Sequence, residues 1–106
     1  MDKELQCIAI AKLCGWEFKR CSDGTGPEWH RPDGSVDLTG NIPRYAYDLN
    51  DMHRAETTLK AEEWLDYIQT LSIIASGLTG HMFFTYHASA AQRAEAFLRT
   101  YDKWEE

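Results

Sequence analysis

The stretch AEEWLDYIQTLSIIAS, residues 61–76, carries apolar side chains at helical spacing, and any fold of this chain has to bury one side of it. The spacing aligns Ala61, Leu65, Ile68, Ser72 and Ala75, with Trp64 and Leu71 beside them, as the expected buried stripe. Glu62 and Glu63 fall at the positive end of the helix dipole. The run GLTG breaks the pattern, and the period then changes. HMFFTYH alternates Met82, Phe84 and Tyr86 against His81, Phe83 and Thr85, which predicts a strand over 81–87. A helix that gives way to a strand excludes an all-helical bundle.

The rest of the chain repeats this mixture. Residues 3–14 place Cys7, Ile10, Ala11 and Cys14 on one helical face, and Gly15 supplies a left-handed stop. WEFKR, within 15–20, and EWHR, within 27–31, read as two strands of a hairpin, and Pro32-Asp33-Gly34 signals a turn. Residues 35–47 show no clear period and read as a loop. Asp48 caps a helix over 48–59 whose buried stripe is Leu49, Met52, Ala55 and Leu59. Ser89 and Gln92 match the S-x-x-Q capping box of a last helix over 89–101, with Ala90, Ala94, Phe97, Leu98 and Tyr101 inward and Arg93 and Arg99 off that face. The expected fold is therefore α+β in a single domain spanning 1–106. It combines about four helices with a small, largely antiparallel sheet of about three strands.

Charge narrows the function classes. The formal net charge is −6, with ten acids against eight bases in residues 1–60 and seven against three in 61–106. An acidic chain without a basic stripe repels phosphate backbones, so general nucleic-acid binding is not expected. The start, MDKELQ, has no secretory pattern, and no apolar run approaches the length of a membrane span. Three cysteines form no even set, and Cys7 and Cys14 sit two turns apart on one helix, too far to bridge. The expectation is a cytosolic protein without a disulfide framework.

Chemistry-bearing motifs are few. His53 with Glu56, and His81 with His87, do not reproduce a zinc-ligand pattern, and no metal or cofactor is expected. A strained nucleophile turn and a phosphate-cradling loop are both missing from the sequence. Two features point to an anion. The capped start of the last helix offers Ser89 and free backbone N–H groups, with Arg93 one turn in and His87 just before. WHR at 29–31 and PRY at 43–45 bring Trp29, Arg31 and Arg44 together as an aromatic wall with cations, the pattern that suits a nucleobase and its phosphate. On this reading Trp29, Arg31, Arg44, His87, Ser89 and Arg93 form the ligand set, and removing Arg93 should leave stability nearly untouched.

DLNDMHRAE (48–56) and HASAAQRAEAFLRTYDKWEE (87–106), with IAIAKLCGWE (8–17) and WHRPDG, resemble the phage ABA sandwich family of small phage and prophage proteins. The resemblance runs nearly end to end and is loosest over 59–86. The chain has TYDKW where the family pattern suggests TLGKW. The resemblance implies an αβα layering of helices around the sheet, a gene expressed in the bacterial cytoplasm, and no established reaction. By analogy it implies a non-enzymatic accessory protein that binds a host component. That component is either a nucleotide signal of host defence or a host-defence protein met by the acidic surface. A phosphoesterase-like enzyme using His53, His81 or His87 is the alternative, as is a structural or regulatory phage component. Self-association is compatible with each.

Overall fold

The computed structural model describes residues 1–20, 27–37, 41–76 and 88–105. Its elements follow in chain order as α1 (Lys3–Leu13), β1 (Glu17–Arg20), β2 (Pro27–His30), α2 (Leu49–Glu56), α3 (Ala61–Ser76) and α4 (Ala90–Thr100). The described residues are thus α+β, with four helices and a two-stranded antiparallel sheet. The expected strand over 81–87, His81, His87 and Cys21 lie outside the described residues.

Local chemistry sets the helix ends. The Asp2 carboxylate accepts from Leu5 N at 2.8 Å and starts α1. Gly15, at φ +100°, closes it, with Gly15 N donating to Lys12 O and Trp16 N to Ala11 O. A Cβ on Gly15 would stand 3.2 Å from Pro32 Cβ, so the helix stop also seats α1 against the turn that follows the hairpin. Asp48 caps α2 through Asp51 N, as expected, but α2 ends at Glu56 rather than 59. Thr57 and Thr58 turn their hydroxyls back onto Arg54 O and Ala55 O, and this hydroxyl–backbone pairing competes with further helix.

The hairpin pairs Glu17 with His30, Phe18 with Trp29 and Lys19 with Glu28. Phe18 and Trp29 stack across the strands with ring centroids 5.0 Å apart. An isolated bridge from His30 to Val36 extends the pairing into the stretch read as loop.

Helix α4 is the centre of the packing, in contact with α1, α2 and α3. Ala94, Ala96, Phe97 and Leu98 are fully buried and join Ile10, Ala11, Met52, Ala55, Tyr67 and Leu71 in one apolar cluster. On α1 and α4 the expected apolar residues turn inward, and α4 also buries Ala96. The inward face of α3 matches in part: Leu71 and Ser72 are buried and Ile68 and Ala75 pack against the core, whereas Leu65 is 66% exposed and Tyr67 is fully buried. Tyr67 carries more apolar area than Leu65, and its hydroxyl finds a buried acceptor in Glu56, so burying it is the favourable choice. Leu49 is likewise exposed, at the first position of α2. Tyr45 and Ala46 enter the core from the segment read as loop.

Phe97 rings meet Tyr67 at 6.4 Å and Tyr101 at 5.1 Å, which makes Phe97 the link between α3 and the end of α4. Phe97→Ala is expected to cost about 3–5 kcal/mol, the usual penalty for emptying a packed aromatic site, measured by urea denaturation.

Candidate functional site

Two places collect polar chemistry. The first is buried. Glu56, at the end of α2, is 5% exposed and receives donors from three helices. Arg93 Nη1 of α4 donates to Glu56 Oε2 at 2.9 Å, and the Tyr67 hydroxyl of α3 donates to the same oxygen. His53 Nδ1 stands 2.6 Å from Glu56 Oε1. With the Glu56 oxygen accepting, Nδ1 is the donor of this bond. Arg93 Nε also donates to Ala88 O at 3.2 Å, tying the guanidinium to the backbone just before the capping box. The box itself has both expected bonds, Gln92 N to Ser89 Oγ at 3.1 Å and Ser89 N to Gln92 Oε1 at 2.9 Å.

Ser89 and Arg93 therefore have partners within the fold. Arg93 is not off the packed face of α4. Its side chain is 11% exposed and paired with a carboxylate 37 residues earlier. Nothing in local spacing announces that partner. The expectation that Arg93 can be removed at little cost to stability is corrected by this pairing, because its loss strands a buried charge.

The second place is open. A cleft of about 480 Å³ lies between the first turns of α1 and the segment 41–47. Trp29 reaches it from β2, and Arg44, Asn41 and Tyr47 line it together with Glu4 and Cys7. Arg44 is anchored by its own N–H, which donates to Asp51 Oδ2 at 2.9 Å. Its guanidinium lies 4.7 Å from the Tyr47 ring centroid, and Lys3 Nζ stands 5.2 Å from the same centroid. The Tyr47 hydroxyl donates to Glu4 Oε1 at 2.9 Å. Below them Ala46 N donates to Cys7 Sγ, which fixes the loop on α1, and burial pushes the Cys7 thiol up from its usual range. A second, more apolar groove of about 420 Å³ runs along α1 beside Lys12 and Lys103 and holds none of the six predicted residues.

Of those six, Trp29 and Arg44 share the cleft. Arg31 is spent on the turn that follows β2, where its guanidinium donates to Ser35 Oγ, Val36 O and Asp37 Oδ1. Ser89 and Arg93 belong to the α4 start, and His87 lies outside the described residues. Glu4, Asn41 and Tyr47 were missed. Glu4 reads as an ordinary first-turn acid of a helix, and the other two sit in an aperiodic stretch, so neither spacing nor motif marks them. Among the described residues no group of three His, Cys, Asp or Glu side chains could hold a metal ion, and no helix is long and apolar enough to cross a membrane.

Arg93→Ala is expected to destabilise the fold by about 3–5 kcal/mol in urea, the cost of breaking one side of a buried ion pair. Alkaline titration should show the buried phenols. Burial, followed by the Glu56 carboxylate, raises the Tyr67 hydroxyl far above its usual range, and burial raises Tyr45 as well. Burial, followed by Glu63, pushes Tyr101 up to about 12. The folded state thus keeps protons that the unfolded chain releases near pH 10. This stability is fully present below about pH 10 and is lost as pH rises through the folded values. Tyrosinate absorbance in the native protein should lag behind that of the urea-unfolded chain above about pH 10.

No family model, no curated protein and no solved structure matches the chain.

Proposed function

We propose that this protein works by binding, and that its ligand is a small anionic molecule with a planar ring, a nucleotide, held in the cleft beside Trp29. The observation that carries the reading is that Trp29 and Arg44 line one cleft, with Arg44 spread over Tyr47. An indole face gives a base a stacking surface worth about 1–3 kcal/mol. A guanidinium leaning on an aromatic ring keeps its outer N–H edge for a phosphate, where paired charged donors are strongest. Against a net charge of −6, an anion is drawn only where such a cation stands, so binding is local and weakens with salt.

The biological setting belongs to the same proposal. The likeness to phage ABA sandwich proteins supports a phage accessory protein of the bacterial cytoplasm that withholds a nucleotide signal from host defence. Occlusion of a host-defence protein by the acidic surface is its other form. The αβα layering, with a third strand over 81–87, is part of this reading. A phosphoesterase-like activity is the second reading, favoured by the His53–Glu56 pair, in which a buried carboxylate orients a half-exposed imidazole. Its check is hydrolysis of nucleotide monoesters to phosphate and of diesters to monoesters, lost in His53→Ala.

Calorimetry with linear and cyclic nucleotides tests the main reading. Wild type should bind, and Trp29→Ala and Arg44→Ala should each weaken binding by about tenfold or more. Arg44 is exposed, so its variant should keep the wild-type melting temperature. Absence of any heat or thermal shift with wild type rejects the reading.

A further inference from the structure

We propose that the cleft selects guanine, through the carboxylate of Glu4 read against the aromatic face of Trp29. The inference rests on the binding reading above and adds the identity of the base. Glu4 stands in the first turn of α1, whose start is fixed by the Asp2 cap, and it lines the same cleft as Trp29. The Tyr47 hydroxyl holds Glu4 Oε1 at 2.9 Å. A carboxylate offers about four lone-pair sites, and this bond uses one of them, so both oxygens keep acceptor capacity. Tyr47 thereby orients the group without exhausting it.

The Watson–Crick edge decides which base such a group prefers. Guanine presents N1–H and the 2-amino group side by side, two parallel donors that match the two oxygens of a carboxylate. Adenine turns the N1 lone pair toward the same place, and lone pair against carboxylate is repulsive. Uracil offers one N–H between two carbonyl oxygens, and cytosine offers one amino group beside a lone pair. Only guanine satisfies both oxygens at once. Donor–acceptor matching of this kind discriminates more sharply than shape, because the wrong base leaves polar groups facing like polar groups.

Charge also orients the ligand. Glu4 repels a phosphate, so the base is the part of the ligand that meets its carboxylate. Arg44, 4.7 Å from the Tyr47 ring centroid, is the cation lining the cleft that meets the phosphate. Ile8, Ile42 and Pro43 add apolar lining. The ligand class is a guanine nucleotide, whether mononucleotide or part of a larger one.

Calorimetry with GMP, IMP and AMP at low salt separates this inference from the reading beneath it. GMP should bind at least about tenfold tighter than AMP, with IMP between them because hypoxanthine keeps N1–H and lacks the 2-amino group. Glu4→Gln should collapse the GMP-to-AMP ratio toward one. Tyr47→Phe, which keeps the ring under Arg44 and releases Glu4, should lower that ratio part of the way. AMP binding as tightly as GMP, or a ratio unchanged in Glu4→Gln, overturns the guanine assignment and leaves nucleotide binding standing. If none of the three binds, and none quenches tryptophan fluorescence, both are overturned.

Discussion

A single carboxylate holds three helices in register. Glu56 sits at the end of α2 and is contacted by His53 of its own helix, Tyr67 of α3 and Arg93 of α4. A buried anion is costly unless its lone pairs are met, and here three donors meet them. Each donor constrains a different element. Tyr67 sets the rotation of α3, Arg93 sets the position of α4, and α4 in turn carries the apolar residues on which α1 packs. The apolar cluster supplies most of the stabilising free energy, and the Glu56 contacts add directional constraints between the helices.

The start of α4 shows how local and distant constraints combine. Ser89 and Gln92 satisfy each other's backbone N–H groups, which fixes where the helix begins. Arg93 then reaches back to Ala88 O with Nε and across to Glu56 with Nη1, so one side chain binds both the entry to the helix and the neighbouring helix. The fork of the guanidinium makes this possible, since lysine would bring one point charge and could not hold both directions. An anion bound at this helix start would compete with Glu56 for Arg93. The competition favours the resident carboxylate, which is already in place and shielded from water.

What the sequence makes legible is what short-range physics decides. The Ser89–Gln92 box, the Gly15 stop, the Asp48 cap and the hairpin around Trp29 depend on neighbours within a few residues, and each is present. The face of α3 was less legible because Leu65 and Tyr67 both suit a buried position by period alone. The choice falls to Tyr67 through an acceptor 11 residues away that spacing does not reveal. Arg93 was misread for the same reason, as a free cation where the fold makes a tied one. Of the site, the aromatic–cation pairing of Trp29 with Arg44 was readable as residue types. The acid that lines the cleft with them was not, because an acid in a first helical turn already has an electrostatic reason to be there.

The two polar centres divide the work of the molecule on physical grounds. Around Glu56 every strong donor has an acceptor inside the fold, and such a network resists rearrangement. Around Trp29 the cleft is built on a loop whose backbone is tied down at Arg44, by Asp51, and at Ala46, by Cys7. A loop held at its backbone but open at its side chains presents Arg44 and Tyr47 with little ordering left to do, and preorganisation lowers the entropy that binding must overcome. On the proposed reading, the same arrangement lets an acidic protein hold an anion at one point. Lys3 and Arg44 share the Tyr47 ring as a platform. Glu4 is the exception within that group, an acceptor held by the Tyr47 hydroxyl where it also lines the cleft.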